Sequence, residues 1–227
     1  MNNADRATLA ESAQETLLQW RARIADFRGR GIYAGYPDRF RCIFIHVPKT
    51  AGSSVARALF DENSRHIPYL EFERANAWKF RSYFKFAFVR NPWDRLVSTY
   101  FFLKRGGINE LDRDWSAQHL AAYASFSEFV RDWLCEDNVS SFPHFRPQSY
   151  FLADPQGKVM VDFVGRYENL LHDFTEVARR LGRECQLPLY NKGDHAHFTS
   201  YYDDETRDIV GRIYSRDVEL FGYRYDD

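Results

Sequence analysis

The chain has 227 residues, 44% hydrophobic and 28% charged, with 31 Lys and Arg against 32 Asp and Glu for a net charge of −1. That length suits one domain with a full core, and the missing basic surplus excludes recruitment of nucleic acid by a global field. Any anion must be held by a local constellation.

The opening stretch, MNNADRATLAESAQETLLQW, lacks the basic-then-apolar pattern of a secretory signal. No apolar run exceeds strand length, so no membrane span is expected. Residues from about 5 to 28 are predicted helical: Ala13, Leu17, Trp20, Ile24 and Phe27 recur at alternating spacings of four and three, forming one apolar stripe. That stripe is expected to pack on the domain or, alternatively, to join subunits into an oligomer. Gly29, Gly31, Gly35 and Pro37 mark a linker, so residues 1–37 read as helix and linker and 38–227 as one domain.

Three units of strand, sharp turn and helix follow. CIFIHV leads through PKTAGSS into VARALFD. FKFAFV leads through Arg90-Asn91-Pro92 into WDRLVSTYFFLK, and KVMVDFVGRYENL leads into LHDFTEVARRLG. The runs are continuous rather than alternating, which predicts a parallel α/β sheet buried on both faces and flanked by helices. Residues 109–154 read as a helical insertion covering the carboxyl edge of that sheet. The tail, DDETRDIVGRIYSRDVELFGY, reads as a closing helix capped by Asp203 or Asp204. Cys42, Cys135 and Cys185 form no zinc-type pairing, and their scatter suits a reducing compartment.

Ligands of open parallel sheets bind beyond the carboxyl ends of the strands, and PKTAGSS sits at such an end. A helix starting near Ser53 would aim free N–H groups and a positive dipole end at the loop. Gly52 would let the backbone approach a ligand closely, Lys49 would add a full charge, and Thr50, Ser53 and Ser54 would add hydroxyl donors. The set suits a tetrahedral anion; the bland alternative is a turn whose Ser53 caps a helix. Arg90 ends the second strand. Asn91 and Pro92 start a helix at once, and Ser98 follows two turns in. Arg90 and Ser98 could grip a second phosphate, or Arg90 could simply pair with Asp94.

HVPKTAGSS and FAFVRNPWDRLVSTYFF together resemble the two nucleotide-binding segments of sulfotransferases that use 3′-phosphoadenosine 5′-phosphosulfate (PAPS), particularly the carbohydrate type. VDFVGRYENL and YSRDVELFGY resemble later landmarks of that family, whose fold is P-loop-like. The resemblance covers most of residues 40–225. It implies that Pro48, Lys49, Thr50, Ala51, Gly52, Ser53 and Ser54 hold the 5′-phosphosulfate and that Arg90 and Ser98 hold the 3′-phosphate. No metal is implied, which agrees with the missing GK[ST] pattern and the missing magnesium-binding acid. It further implies a carbohydrate-type acceptor and, for a chain read as cytoplasmic and unanchored, a bacterial source.

An acceptor hydroxyl needs a base, and histidine titrates near neutrality. His66, between the two phosphate segments, is the first candidate and His144 the second, each with a surface or packing role as the plain alternative. Arg146 and Gln148 beside His144 could bind acceptor hydroxyls. His46 reads as a buried residue orienting the loop, and Glu168 as a helix-start acid. His195 and His197 could shape the acceptor entrance, with metal binding discounted for want of further ligands. The rival readings are a P-loop kinase and a non-catalytic nucleotide- or glycan-binding module.

Overall fold

β1 (Cys42–Ile45), β2 (Phe84–Val89) and β3 (Phe163–Arg166) lie in that order, all parallel, in the computed structural model, which describes residues 16–187 and 196–227. Ile45 pairs with Ala87 and Val89 with Arg166, so the loops leaving the strands emerge at one edge. The chain enters β1 from α1, helical through residues 16–27, and α2 (Tyr36–Phe40). Between β1 and β2 run α3 (Gly52–Phe60), α4 (Tyr69–Ala75) and α5 (Ala77–Ser82). Between β2 and β3 run α6 (Pro92–Lys104), α7 (Glu110–His119), α8 (Phe126–Asp132), α9 (Glu136–Ser141) and α10 (Gln148–Leu152). After β3 come α11 (Leu170–Arg180), α12 (Asp204–Ile213) and α13 (Ser215–Phe221).

Both faces of the sheet are covered, which explains the unbroken apolar runs. Ile43, Ile45, Ala87 and Val89 face one core with Phe72, Phe151 and Tyr223. Cys42, Phe44, Phe86 and Phe88 face the other with Val55, Leu59, Phe174 and Val177. The expected third strand is shorter than its apolar run, because Val159 instead makes an isolated antiparallel bridge with Ala153. The tail forms two helices, broken at Tyr214, and Asp203 caps the first through a capping box with Thr206.

The helical insertion covers less of the sheet edge than its length suggests. Trp115, Phe129, Trp133 and Phe145 join Tyr100 and Val210 in a separate aromatic core. The last part of the insertion, residues 144–152, reaches the end of β2, with Phe151 and Leu152 packed among Ala87 and Val89. Arg95, fully buried, holds it there by donating to the carbonyls of His144 (3.1 Å) and Arg146 (3.0 Å).

The largest departure from expectation is α1. Of the predicted helix, residues before 16, Ala13 included, lie outside the described residues, as does His195. The described part is helical, but its stripe is not packed on the domain: Leu17 is 47%, Trp20 61% and Phe27 93% exposed. Asp26 fastens the helix instead, accepting from Asn76 Nδ2 (2.8 Å) and Lys79 Nζ (3.0 Å). Behind it the chain returns at Gly31, where a Cβ would lie 2.8 Å from the Asp26 backbone. Polar bonding, with Ala22 packed on the core, fixes this helix and leaves Leu17, Trp20 and Phe27 outward.

Candidate active site

β1 runs into His46, Val47 and Pro48, all buried. Lys49 and Ala51 then adopt left-handed φ angles of 69° and 64°, at a cost of about 1–2 kcal/mol for each non-glycine residue. Such strain persists only where the surroundings over-determine it, often at ligand sites. The structure gives Gly52 a packing role that the sequence does not suggest. A Cβ there would lie 1.9 Å from His46 Cδ2, so the imidazole beneath the loop demands the glycine. His46 Nδ1 lies 2.7 Å from Ser64 Oγ, and burial holds its basicity well below the usual histidine range.

Thr50 also differs from expectation. Its buried hydroxyl donates to the Val47 carbonyl at 2.9 Å, so its proton pins the turn and is not offered to an anion. α3 begins at Gly52 with Ala51 at its N-cap and no side-chain cap, so Ser53 caps nothing. The first-turn N–H groups are therefore left to a ligand or solvent, beside exposed Ser53 and half-buried Ser54.

The turn after β2 is internally satisfied. Asn91 Oδ1 accepts from Trp93 N (3.0 Å) and Asp94 N (3.4 Å), with Pro92 opening the helix as expected. Gln148 brackets Arg90, accepting from its N–H (2.9 Å) and donating to its carbonyl (2.8 Å). Gln148 thus clamps the strand end and is not an acceptor ligand. Glu168 lies in the first turn of the short 3₁₀ helix at residues 167–169, the helix-start acid expected, and also joins Asn91 N (2.6 Å) to Tyr223 OH (3.0 Å).

The buried Arg90 side chain donates through Nε to Asp94 (2.7 Å) and through Nη1 to the Lys49 carbonyl (3.2 Å), while its guanidinium packs 3.9 Å over the Tyr167 ring. Pairing with Asp94 and proximity to the first loop hold together. Ser98 is half-buried, and its hydroxyl makes no hydrogen bond among the described residues.

Lys49 lies against an aromatic ring. Its ammonium rests 3.7 Å from the Phe102 ring centroid, and burial, reinforced by Arg90 and Arg105, lowers its pKa from 10.5 to about 7. His66 and His144 converge on the same space, with ring centroids 5.8 Å apart and His66 4.2 Å from His46. His66 Nδ1 lies 3.0 Å from the His46 carbonyl, which can only accept, so Nδ1 carries the proton and Nε2 the lone pair. His144 Nε2 lies 3.1 Å from the Asp112 carboxylate, leaving its lone pair on Nδ1, which is buried without a partner. Burial lowers the pKa of both rings, that of His144 to about 4. Arg146 bonds locally, to Ser140 O (3.0 Å) and Tyr150 OH (3.2 Å). His197 is exposed, with Nδ1 2.8 Å from Thr199 Oγ1.

The sequence profile of the sulfotransferase family matches residues 36–224, a span that includes both loops and the histidine cluster. The chain belongs to that family. It is 31% identical over 225 residues to human carbohydrate sulfotransferase 14, covering 82% of this chain and 58% of that one. The mouse carbohydrate sulfotransferase 14 is 32% identical over 169 residues, covering 62% of this chain and 44% of that protein. An uncharacterised protein of Archaeoglobus fulgidus is 35% identical over 113 residues, covering 48% of this chain and 77% of its own. The chain thus spans about half the length of the vertebrate relatives. With archaeal and vertebrate relatives, the expectation of a bacterial source gains no support. No solved structure matches the chain.

Two residues of this cluster escaped the sequence reading. Asp112 is buried opposite His144, yet at the third position of α7 behind Asn109 it reads as an ordinary helix-start acid. Phe102, which carries the Lys49 ammonium, reads as one more apolar residue of α6. No local pattern marks either. Among the described residues, no group of three or more His, Cys, Asp or Glu is disposed to hold a metal ion, and no helix is long and apolar enough to cross a membrane.

Proposed function

We propose that this chain transfers the sulfuryl group of PAPS to a hydroxyl of a carbohydrate-type acceptor, releasing adenosine 3′,5′-bisphosphate, without a metal. The observation that carries the reading is the junction of the two loops. Arg90 donates to the Lys49 carbonyl at 3.2 Å, so the uncapped start of α3 and the arginine ending β2 act on one volume. A nucleotide bearing phosphates at both 5′ and 3′ positions suits that pair, and the names of the vertebrate relatives support a sugar hydroxyl as acceptor.

The acceptor oxygen would attack sulfur in line while the bond from sulfur to the 5′-phosphate oxygen breaks. Charge then collects on that oxygen, where Lys49 and the α3 amides neutralise it. His66 takes the acceptor proton on Nε2, since its tautomer leaves the lone pair there and burial keeps the ring neutral. His144, with its lone pair enclosed and its other nitrogen on Asp112, packs beside His66 as a support.

The test is thermal unfolding with adenosine 3′,5′-bisphosphate compared with ATP and magnesium. The bisphosphate should stabilise the chain by about 2.7 kcal/mol at a hundredfold excess over Kd. Stabilisation by ATP–magnesium alone would falsify the reading in favour of a kinase. Binding of the bisphosphate without turnover of PAPS across a panel of glycans would favour a non-catalytic module.

A further inference from the structure

The stripe of α1 lies outside everything described for the site. Leu17, Trp20, Ile24 and Phe27 recur at intervals of three, four and three residues on a helix, so they share one face. Leu17, Trp20 and Phe27 are exposed, as is Trp78 (63%) on α5. Single exposed apolar side chains are ordinary, but a run of this kind on one helix face marks an interaction surface. Trp20, Ile24 and Phe27 also line an open groove whose far wall is Ala75, Asn76 and Ala77.

Charge narrows the kind of partner. Arg21, Arg23, Arg28 and Arg30 are all exposed, and helical spacing puts Arg21 and Arg28 on one flank of the stripe and Arg23 on the other. Residues 16–30 contain one acid, Asp26, and it is buried against Lys79 and Asn76. The exposed surface of this segment is thus cationic and aromatic. A second copy of the chain docked through the same stripe would bring two sets of arginines together, and like charges directly opposed are unfavourable.

We infer that α1 is an interfacial helix that seats the protein on an anionic lipid surface, with Trp20, Phe27 and Leu17 entering the headgroup boundary and the arginines meeting lipid phosphates. Aromatic and leucine side chains on one face, flanked by arginine, are the composition such helices use, and tryptophan favours that boundary because its ring is amphipathic. The Asp26 anchor makes the arrangement workable. It holds the helix to the domain by polar bonds and leaves the apolar side chains free to insert.

Flotation of the full chain with vesicles of phosphatidylcholine, alone or mixed with phosphatidylserine, tests this. Binding is expected to the mixed vesicles and should weaken at 1 M salt, where the screening length falls to about 3 Å. Replacing Trp20 and Phe27 by serine should lower partition about tenfold or more. Arg21→Ser and Arg23→Ser should each lower it about fivefold. Because all four side chains are exposed, the unfolding midpoint should stay in place. No binding to either vesicle, or binding that the four changes leave untouched, overturns the inference. So does concentration-dependent self-association that the serine changes abolish without any vesicle binding, which would make the stripe a contact between copies.

Discussion

The loop leaving β1 and the loop leaving β2 meet at Lys49 and Arg90, yet their helix starts are built on opposite plans. After β1 the backbone is strained at Lys49 and Ala51, and α3 starts with no side-chain cap. After β2 the start of α6 is capped by Asn91, bracketed by Gln148 and tied to Glu168. The first loop therefore offers an anion its backbone N–H groups and a helix dipole. The second has little backbone left to offer and can act only through Arg90 and Ser98. On the proposed function, one half of the site is held ready by unmet hydrogen-bonding capacity and the other is a rigid mount for two side chains.

The sharpest test of this contrast is Lys49→Ala, which removes the only full charge on the first loop. It should lower kcat about 10²–10³-fold while the free protein's unfolding midpoint does not fall, since burial already works against the lysine's charge, as stopped assays and calorimetry would show. His66 belongs to the same half, because its tautomer depends on the His46 carbonyl. His66→Ala should lower kcat about 10²-fold or more, and His144→Ala distinctly less; the reverse order in assays on one working acceptor would move the base to His144.

Gly52→Ala probes why the first loop carries a glycine. The new Cβ clashes with His46, so stability should fall by about 1–3 kcal/mol. Adding His46→Ala removes the clash, and the double variant should lose less than the sum of the singles, measured by urea unfolding. Strict additivity would mean that the glycine answers to something other than the imidazole.

A pH series separates the loops by charge. The folded, unliganded protein holds Lys49 at about 7, below the ordinary lysine value of 10.5. Between those values the unfolded chain binds more protons than the folded one, so this residue's contribution makes the free protein more stable as pH rises through that window. Anion binding needs the charged form. Affinity for adenosine 3′,5′-bisphosphate should fall about tenfold per unit above pH 7, with proton uptake in calorimetry run in two buffers. Lys49→Ala should flatten both trends. The smallest effects belong to the second loop. Ser98→Ala should raise Kd about tenfold with stability unchanged, whereas Asn91→Ala should cost about 1 kcal/mol of stability and leave Kd nearly in place.

How far the sequence could be read follows from the range of each interaction. CIFI and FKFAFV announce buried parallel strands because burial on both faces leaves no polar alternation. Asn91-Pro92 announces a helix start because capping acts within three residues. The reason for Gly52 is hidden, since it lies in the ring of His46 packed from below. Gln148 looked free to bind an acceptor because its partner is 58 residues away. The stripe of α1 was visible as periodicity, but periodicity shows that a face exists and not that the domain covers it.

The bracing of the β2 tip has a consequence for the order in which the molecule matures. Asp217 accepts from the backbone N–H groups of Gln148 and Ser149, Gln148 grips Arg90, and Asn91 Nδ2 donates to the carbonyl of Arg224, 133 positions further along. Contacts of such long sequence separation form late, since loop-closure entropy is met before they reward it. On the ribosome, β1, α3 and the strained first loop emerge long before the residues that square up Arg90. On the proposed function, the anion site is therefore complete only when the segment reaching Arg224 has docked.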